Sequence, residues 1–173
     1  FSLPGDEADV LRTMAEHGID AEVSVHEWLY RGDTIPRACK YVMRRLTADD
    51  IPAVQAFAAE YGSDWKVVES LTQRDVFHNA PYDQPLGIYD GETLIAIFRT
   101  CVYGKYGFRV GDVEGVAALE RYRSASFTRE AYTLAINHLV ETGYMPFCSI
   151  PNTDDFNPET YGFDMVKTIY TAK

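Results

Sequence analysis

Val116-Ala117-Ala118-Leu119-Glu120-Arg121-Tyr122-Arg123-Ser124-Ala125-Ser126-Phe127-Thr128 is the stretch that decides the fold. It reads as a short apolar strand, a loop bearing arginines, a run of small residues, and the start of a long helix. A strand that feeds a helix through small residues makes an anion cradle. The first backbone N–H groups of a helix have no intrahelical acceptor, and the helix dipole favours negative charge there. Small side chains let a pyrophosphate approach the backbone. Arg121, Arg123 and Arg129 place positive charge around the loop.

Working outward, Tyr132, Ala135, Ile136, Leu139 and Val140 share one helical face, so the helix is expected over 127–141, with Gly143 ending it. A buried strand over 146–150, a turn-rich stretch over 153–159 and a last strand over 163–171 follow. Upstream, residues 108–119 read as one strand and 103–107 as a turn. Asp90-Gly91 between apolar runs predicts a hairpin of 86–89 and 93–102. A strand is expected over 41–46, then a helix over 51–61 capped by Thr47 or Asp50, with Pro52 in its first turn and Gly62 at its end. Residues 64–77 read as a further helix, less regular than its neighbours. Before this region come an amphipathic helix (6–18), a strand (21–30) and a loop whose Arg31-Gly32-Asp33 reads as turn chemistry. The class is α/β (α+β): a central, mixed, mostly antiparallel sheet flanked by helices. A small αβ extension (1–40) precedes the main domain (41–173).

Bulk properties narrow the function. The formal net charge of −10 argues against nucleic acid as the partner, because phosphate binding needs basic surface. It favours cationic ligands such as amines. Cys39, Cys101 and Cys148 are odd in number and widely spaced, which gives neither a zinc site nor a disulfide framework and points to a reducing, cytoplasmic setting. None of His17, His26, His78 and His138 has metal-ligand spacing from another. No apolar run approaches the roughly 18 residues of a membrane span. The first residues lack the basic and apolar regions of a signal peptide, and Phe1 in place of Met implies a trimmed leader.

The order of elements resembles the GNAT N-acetyltransferases, and Arg121-Tyr122-Arg123-Ser124-Ala125-Ser126 resembles their acyl-CoA motif, Gln/Arg-x-x-Gly-x-Gly/Ala. The resemblance runs over 41–173. Ser149-Ile150-Pro151-Asn152 is similar to the family's fifth strand and the Asn after it, and Tyr161-Gly162-Phe163 to its Leu-Gly-Phe segment. The resemblance implies an acetyl-CoA site formed by Ala117, Ala118, Leu119, Arg121, Arg123, Ser124, Ala125, Ser126, Phe127, Thr128 and Asn152, with no metal. Two positions depart from the pattern. Ser124 and Ser126 replace the motif glycines; serine keeps the N–H and can cap a helix, and fails only where the loop needs φ > 0 or a closer approach than a Cβ permits. Pro158 stands four residues before Gly162, where many members have the tyrosine that protonates the leaving thiolate; Tyr161 is the nearby hydroxyl.

The family's base is commonly a carboxylate on its fourth strand. Glu114 and Asp112 lie two apart, so both are expected on the same face of that strand, where they could hold an ammonium and accept its proton. Glu114, Asp112 and Tyr161 are therefore the candidate catalytic residues. A backbone N–H near Ala118 would polarise the thioester carbonyl. The implied activity is acetyl transfer to a primary amine of a small molecule or peptide by direct attack. The alternatives are a GNAT-like domain that binds acyl-CoA or a protein partner without catalysis, and an unrelated α/β ligand-binding domain. Dimerisation, and the role of residues 1–40, stay open. His138 reads as a boundary residue, Cys148 as a core thiol, Trp28 and Trp65 as packing, and Asp154 and Asp155 as a solvated turn.

Overall fold

The computed structural model describes residues 7–62, 85–113, 115–151 and 157–172. The helix expected over 64–77 lies outside them. The described elements run, in chain order, α1 (Glu7–Glu16), β1 (Ala21–Tyr30), β2 (Val42–Arg45), α2 (Ile51–Tyr61), β3 (Leu86–Asp90), β4 (Thr93–Arg99), β5 (Val102–Lys105), β6 (Phe108–Asp112), β7 (Gly115–Ala118), α3 (Ala125–Glu141), β8 (Met145–Pro151) and β9 (Phe163–Ala172). The contacts divide the chain into two compact units, Phe1–Arg31 with Phe147–Lys173, and Gly32–Pro146.

In the larger unit, β2, β3, β4 and β7 form an antiparallel sheet in that order. Its two faces are set by period-2 alternation on β7. Ala117 and Leu119 pack with Val54 and Phe57 of α2, whereas Val116 and Ala118 pack with Phe127 and Ala131 of α3. The helices therefore cover opposite faces of the sheet. Gly91, with φ +61, makes the turn that the Asp-Gly pair predicts.

The start of α2 is anchored more firmly than a simple cap. Asp50 precedes the helix in αR conformation and forms no side-chain cap bond to it. Its carboxylate turns back instead. It accepts from Arg44 Nη2 at 2.5 Å and Nη1 at 2.9 Å, from the Tyr89 hydroxyl at 3.0 Å and from the Thr47 N–H at 2.8 Å. Arg44 first, then the Thr47 and Tyr89 hydrogen bonds, hold Asp50 far below the usual carboxylate range. Burial, then the bond to Asp50, pushes Tyr89 up to about 12.

Two expectations need correction. The residues read as a turn, 103–107, are mostly strand: β5 runs to Lys105, and only Tyr106 (φ 53) and Gly107 (φ 79) turn the chain. The single strand expected over 108–119 is two, β6 and β7. Glycines account for the break. Gly115 takes φ +147, a conformation that side chains rarely adopt. A Cβ on Gly111 would lie 2.3 Å from Leu139 Cδ2 of α3, so only glycine lets β6 and α3 approach so closely.

In the smaller unit, β1 lies between β8 and β9, antiparallel to both. Trp28 sits opposite Cys148 on one side and Met165 on the other. Residues near the N-terminus thus pair with the last strand of the chain. Glu7 of α1 reaches His26 of β1 at 3.4 Å. Arg31 lies 3.7 Å from Asp164.

Candidate functional site

The larger unit carries most of the sequence-predicted residues. Leu119 donates its N–H to Ile95 of β4 at 3.0 Å. Ala118 pairs with Ala96, so by the alternation of an antiparallel ladder its own N–H and C=O turn away from β4. β7 is the last strand of its sheet, and these groups face that edge. The Ala118 carbonyl accepts from Arg123 Nε at 2.9 Å.

The loop then crosses a 3-10 turn, Glu120–Tyr122, into α3. Ser124 is the N-cap of α3, with φ −152 and ψ 156, and its hydroxyl accepts from the Phe127 N–H. That backbone is extended, a conformation any residue adopts. Thr128 donates to the Ser124 carbonyl at 2.9 Å. Ala125 and Ser126 occupy the first two helical positions, where N–H groups have no intrahelical acceptor. The Ser124 and Ser126 hydroxyls lie 3.1 Å apart, with Ser126 exposed.

Three consecutive loop side chains are each held elsewhere. Arg121 forms an ion pair with Glu60 of α2. The Tyr122 hydroxyl donates to Asp90 Oδ2 at 3.1 Å. The Arg123 guanidinium lies 5.2 Å from the centre of the Tyr61 ring. Phe127 is a core residue, packed edge-on against Tyr41 at 5.4 Å. Glu60, Tyr61 and Asp90 carried no signal in the sequence, since their partners are remote in the chain and follow no local spacing.

Asp112 ends β6. Arg99 pairs with Gly115, and Val102 with Gly111. The β4–β7 and β5–β6 ladders belong to different sheets. Asp112 donates its N–H to the Cys101 carbonyl at 2.7 Å, and its carboxylate accepts from the Tyr103 hydroxyl at 3.3 Å. The neighbouring Thr100 hydroxyl is buried, with no hydrogen-bond partner among the described residues. Glu114, Asn152, Asp154 and Asp155 lie outside the described residues. Gly111 and Gly115 inside an apolar run were the available signal for the break between β6 and β7.

Tyr161 belongs to the smaller unit, where it closes a 3-10 turn, Pro158–Tyr161. Asn157 Oδ1 caps that turn by accepting from the Glu159 N–H at 2.9 Å. Pro158 is buried in it. Gly162 follows with φ +86. Cys148 is buried, and none of the three cysteines is in a disulfide. Burial lowers the pKa of His138. Among the described residues, no group of three or more His, Cys, Asp or Glu is placed to hold a metal ion, and no helix is long and apolar enough to cross a membrane.

The sequence matches no family model and no curated protein. Solved structures do match. A GNAT-family acetyltransferase from Colwellia psychrerythraea superposes with a TM-score of 0.63 at 13% identity, over 88% of this chain and 56% of its own. A GCN5-related N-acetyltransferase from Kribbella flavida gives 0.55 at 17% identity, over 94% of this chain and 63% of its own. The chain thus spans less than two thirds of the length of either. An aminoglycoside acetyltransferase from a soil metagenome, in complex with sisomicin, gives 0.51 at 12% identity, over 70% of this chain and 85% of its own. The strand–loop–helix at β7 and α3 thus sits in a mixed α/β chain that has the fold of the GNAT acetyltransferase superfamily.

Proposed function

We propose that the chain is an N-acyltransferase that moves an acetyl group from acetyl-CoA to a primary amine of a small molecule or peptide. The observation that carries this is the edge of β7 running into α3. Ala118 turns its N–H to the sheet edge, and six residues later the chain enters a helix whose first N–H groups lack internal acceptors. The pairing suits acetyl-CoA: one donor for a thioester oxygen and a helix terminus for a pyrophosphate. The extended backbone at Ser124 fits too, because serine is unstrained there; its hydroxyl takes the Phe127 N–H, and the N–H groups of Ala125 and Ser126 are the ones without an intrahelical acceptor. Ala117, Ala118, Leu119, Arg121, Arg123, Ser124, Ala125, Ser126 and Thr128 would line the site. Phe127 would support the site from beneath, since its ring is in the core and its N–H is held by the Ser124 hydroxyl.

Acetyl-CoA would supply the thioester. The amine lone pair forms the new C–N bond as the C–S bond breaks. Asp112, oriented by Tyr103, takes a proton from the nitrogen, a role that Glu114 would share. The thiolate leaves as the C–S bond breaks and takes its proton from solvent. The net charge of −10 favours a cationic acceptor, the class to which the sisomicin bound by one structural neighbour belongs. Thiols outside disulfides fit a reducing setting such as the cytoplasm.

A second reading is a domain that binds acyl-CoA or a protein partner without turnover. It is favoured by Pro158, a buried residue without a proton to give, at the position of the family's tyrosine. Release of free CoA thiol from acetyl-CoA, followed over a panel of polyamines, aminoglycosides and peptides, separates the two. Amine-dependent release that falls at least tenfold in Asp112→Asn supports the enzyme. Saturable acetyl-CoA binding with no release for any amine supports the second reading.

A further inference from the structure

We infer that Glu60 is an internal competitor for Arg121 and thereby sets the affinity of the proposed acyl-CoA site; the inference rests on the acyltransferase reading above. The three loop tethers differ in kind. Tyr122 reaches Asp90, a partly buried carboxylate at the end of β3. Arg123 braces its own strand through the Ala118 carbonyl. Both are internal supports that fix the path of the loop. The Arg121–Glu60 pair is a full ion pair between two side chains that are each about half exposed, at 50% and 48%. Neither belongs to the apolar core of the unit.

Arg121 opens the motif whose far end is the N-terminus of α3. A guanidinium offers the same planar fork to a carboxylate and to a phosphate. With Glu60 in place, one arm of the guanidinium, Nη1, is held by a carboxylate from the last turn of α2. A diphosphate entering the loop must take Arg121 from Glu60 or bind without it. Glu60 thus weakens binding by the strength of its own ion pair. It also makes α2 responsive to the ligand, because binding releases the contact at the end of that helix. A half-exposed pair is a modest competitor, which suits a site that tunes affinity and does not block it.

The test is calorimetric titration of the full chain with CoA, for the wild type, Glu60→Gln, Arg121→Gln and the double variant. Glu60→Gln is expected to tighten CoA about two- to fivefold, the worth of an exposed ion pair. Arg121→Gln is expected to weaken it, and adding Glu60→Gln to that background to change nothing. Unchanged or weaker binding in Glu60→Gln, with the wild type binding CoA, overturns the inference and leaves the acyl-CoA reading standing. Equal tightening with and without Arg121 also overturns it, because the effect is then the loss of a negative charge near an anion site. No CoA binding by any of the four proteins overturns the acyl-CoA reading itself, and the inference with it.

Discussion

Replacing Asp50 by Asn tests how the larger unit holds α2, and through α2 the loop. The change is isosteric and removes one charge. Oδ1 accepts from Arg44 Nη2 and the Tyr89 hydroxyl; Oδ2 accepts from Arg44 Nη1 and from the Thr47 N–H and hydroxyl. An amide nitrogen at the Oδ2 position would face the N–H of Thr47 and of Arg44, all donors. At the Oδ1 position it would face Arg44 Nη2, while the Tyr89 hydroxyl could rotate to accept. The second orientation costs less and still loses one charge-assisted hydrogen bond in a buried setting, worth about 1.5–3 kcal/mol. Arg44 is half exposed, so water compensates part of its loss. The net expectation is about 2 kcal/mol, or a fall in Tm of about 4–8 °C at this chain length. Thermal and urea unfolding of both proteins provide the assay.

The same pair predicts a pH dependence. The folded pKa of Asp50 lies well below its unfolded value. Its contribution is therefore complete above the unfolded pKa of about 3.9 and is lost as pH falls from there towards the folded value. The stability gap between wild type and Asp50→Asn should be constant from pH 5 to 7 and shrink below about pH 4. A gap under about 0.5 kcal/mol at pH 7, or one that widens in acid, would refute the reasoning.

Other outcomes follow from single contacts. Ser124→Ala removes the cap on Phe127 and should cost about 1 kcal/mol, while Ser124→Gly should cost only a few tenths, readable as a difference in Tm. Gly111→Ala drives a Cβ to 2.3 Å from Leu139 Cδ2, inside a side chain that is fully buried, and should cost about 1–3 kcal/mol. In a double-mutant cycle, Leu139→Ala should recover part of that loss, and strict additivity would count against the contact.

What could be read in the sequence was local. The path from β7 through the loop to α3 was legible because strand, small residues and a capping serine are adjacent in the chain. The Asp90-Gly91 hairpin was legible for the same reason. The break between β6 and β7 was hidden by the apolar run from Val110 to Leu119, although Gly111 and Gly115 marked it. β5 was hidden by Tyr103-Gly104-Lys105-Tyr106-Gly107, which has the composition of a turn although only Tyr106 and Gly107 turn. Asp50 was visible as a cap, yet its carboxylate serves Arg44 and Tyr89, and Tyr89 arrives from a distant strand. Pairing of β1 with both β8 and β9 is equally remote in sequence. The tethers of Arg121, Tyr122 and Arg123 belong to this class. Of the candidate site, the strand, the loop and the start of the helix could be foreseen, and the partners that hold the loop's side chains could not.

The central claim is that the β7–α3 loop binds acetyl-CoA. The most direct test is thermal unfolding with and without excess acetyl-CoA, run on the wild type and on Ser126→Glu. Ser126 is exposed in the first turn of α3, where a carboxylate favours the helix but repels a pyrophosphate. At about 100 times its Kd the ligand adds about 2.7 kcal/mol, a rise of about 5–10 °C at this size. The account predicts that rise in the wild type and little or none in Ser126→Glu, whose Tm without ligand stays the same or higher. An equal rise in both would place acetyl-CoA elsewhere, and no rise in the wild type at millimolar acetyl-CoA would contradict the claim outright.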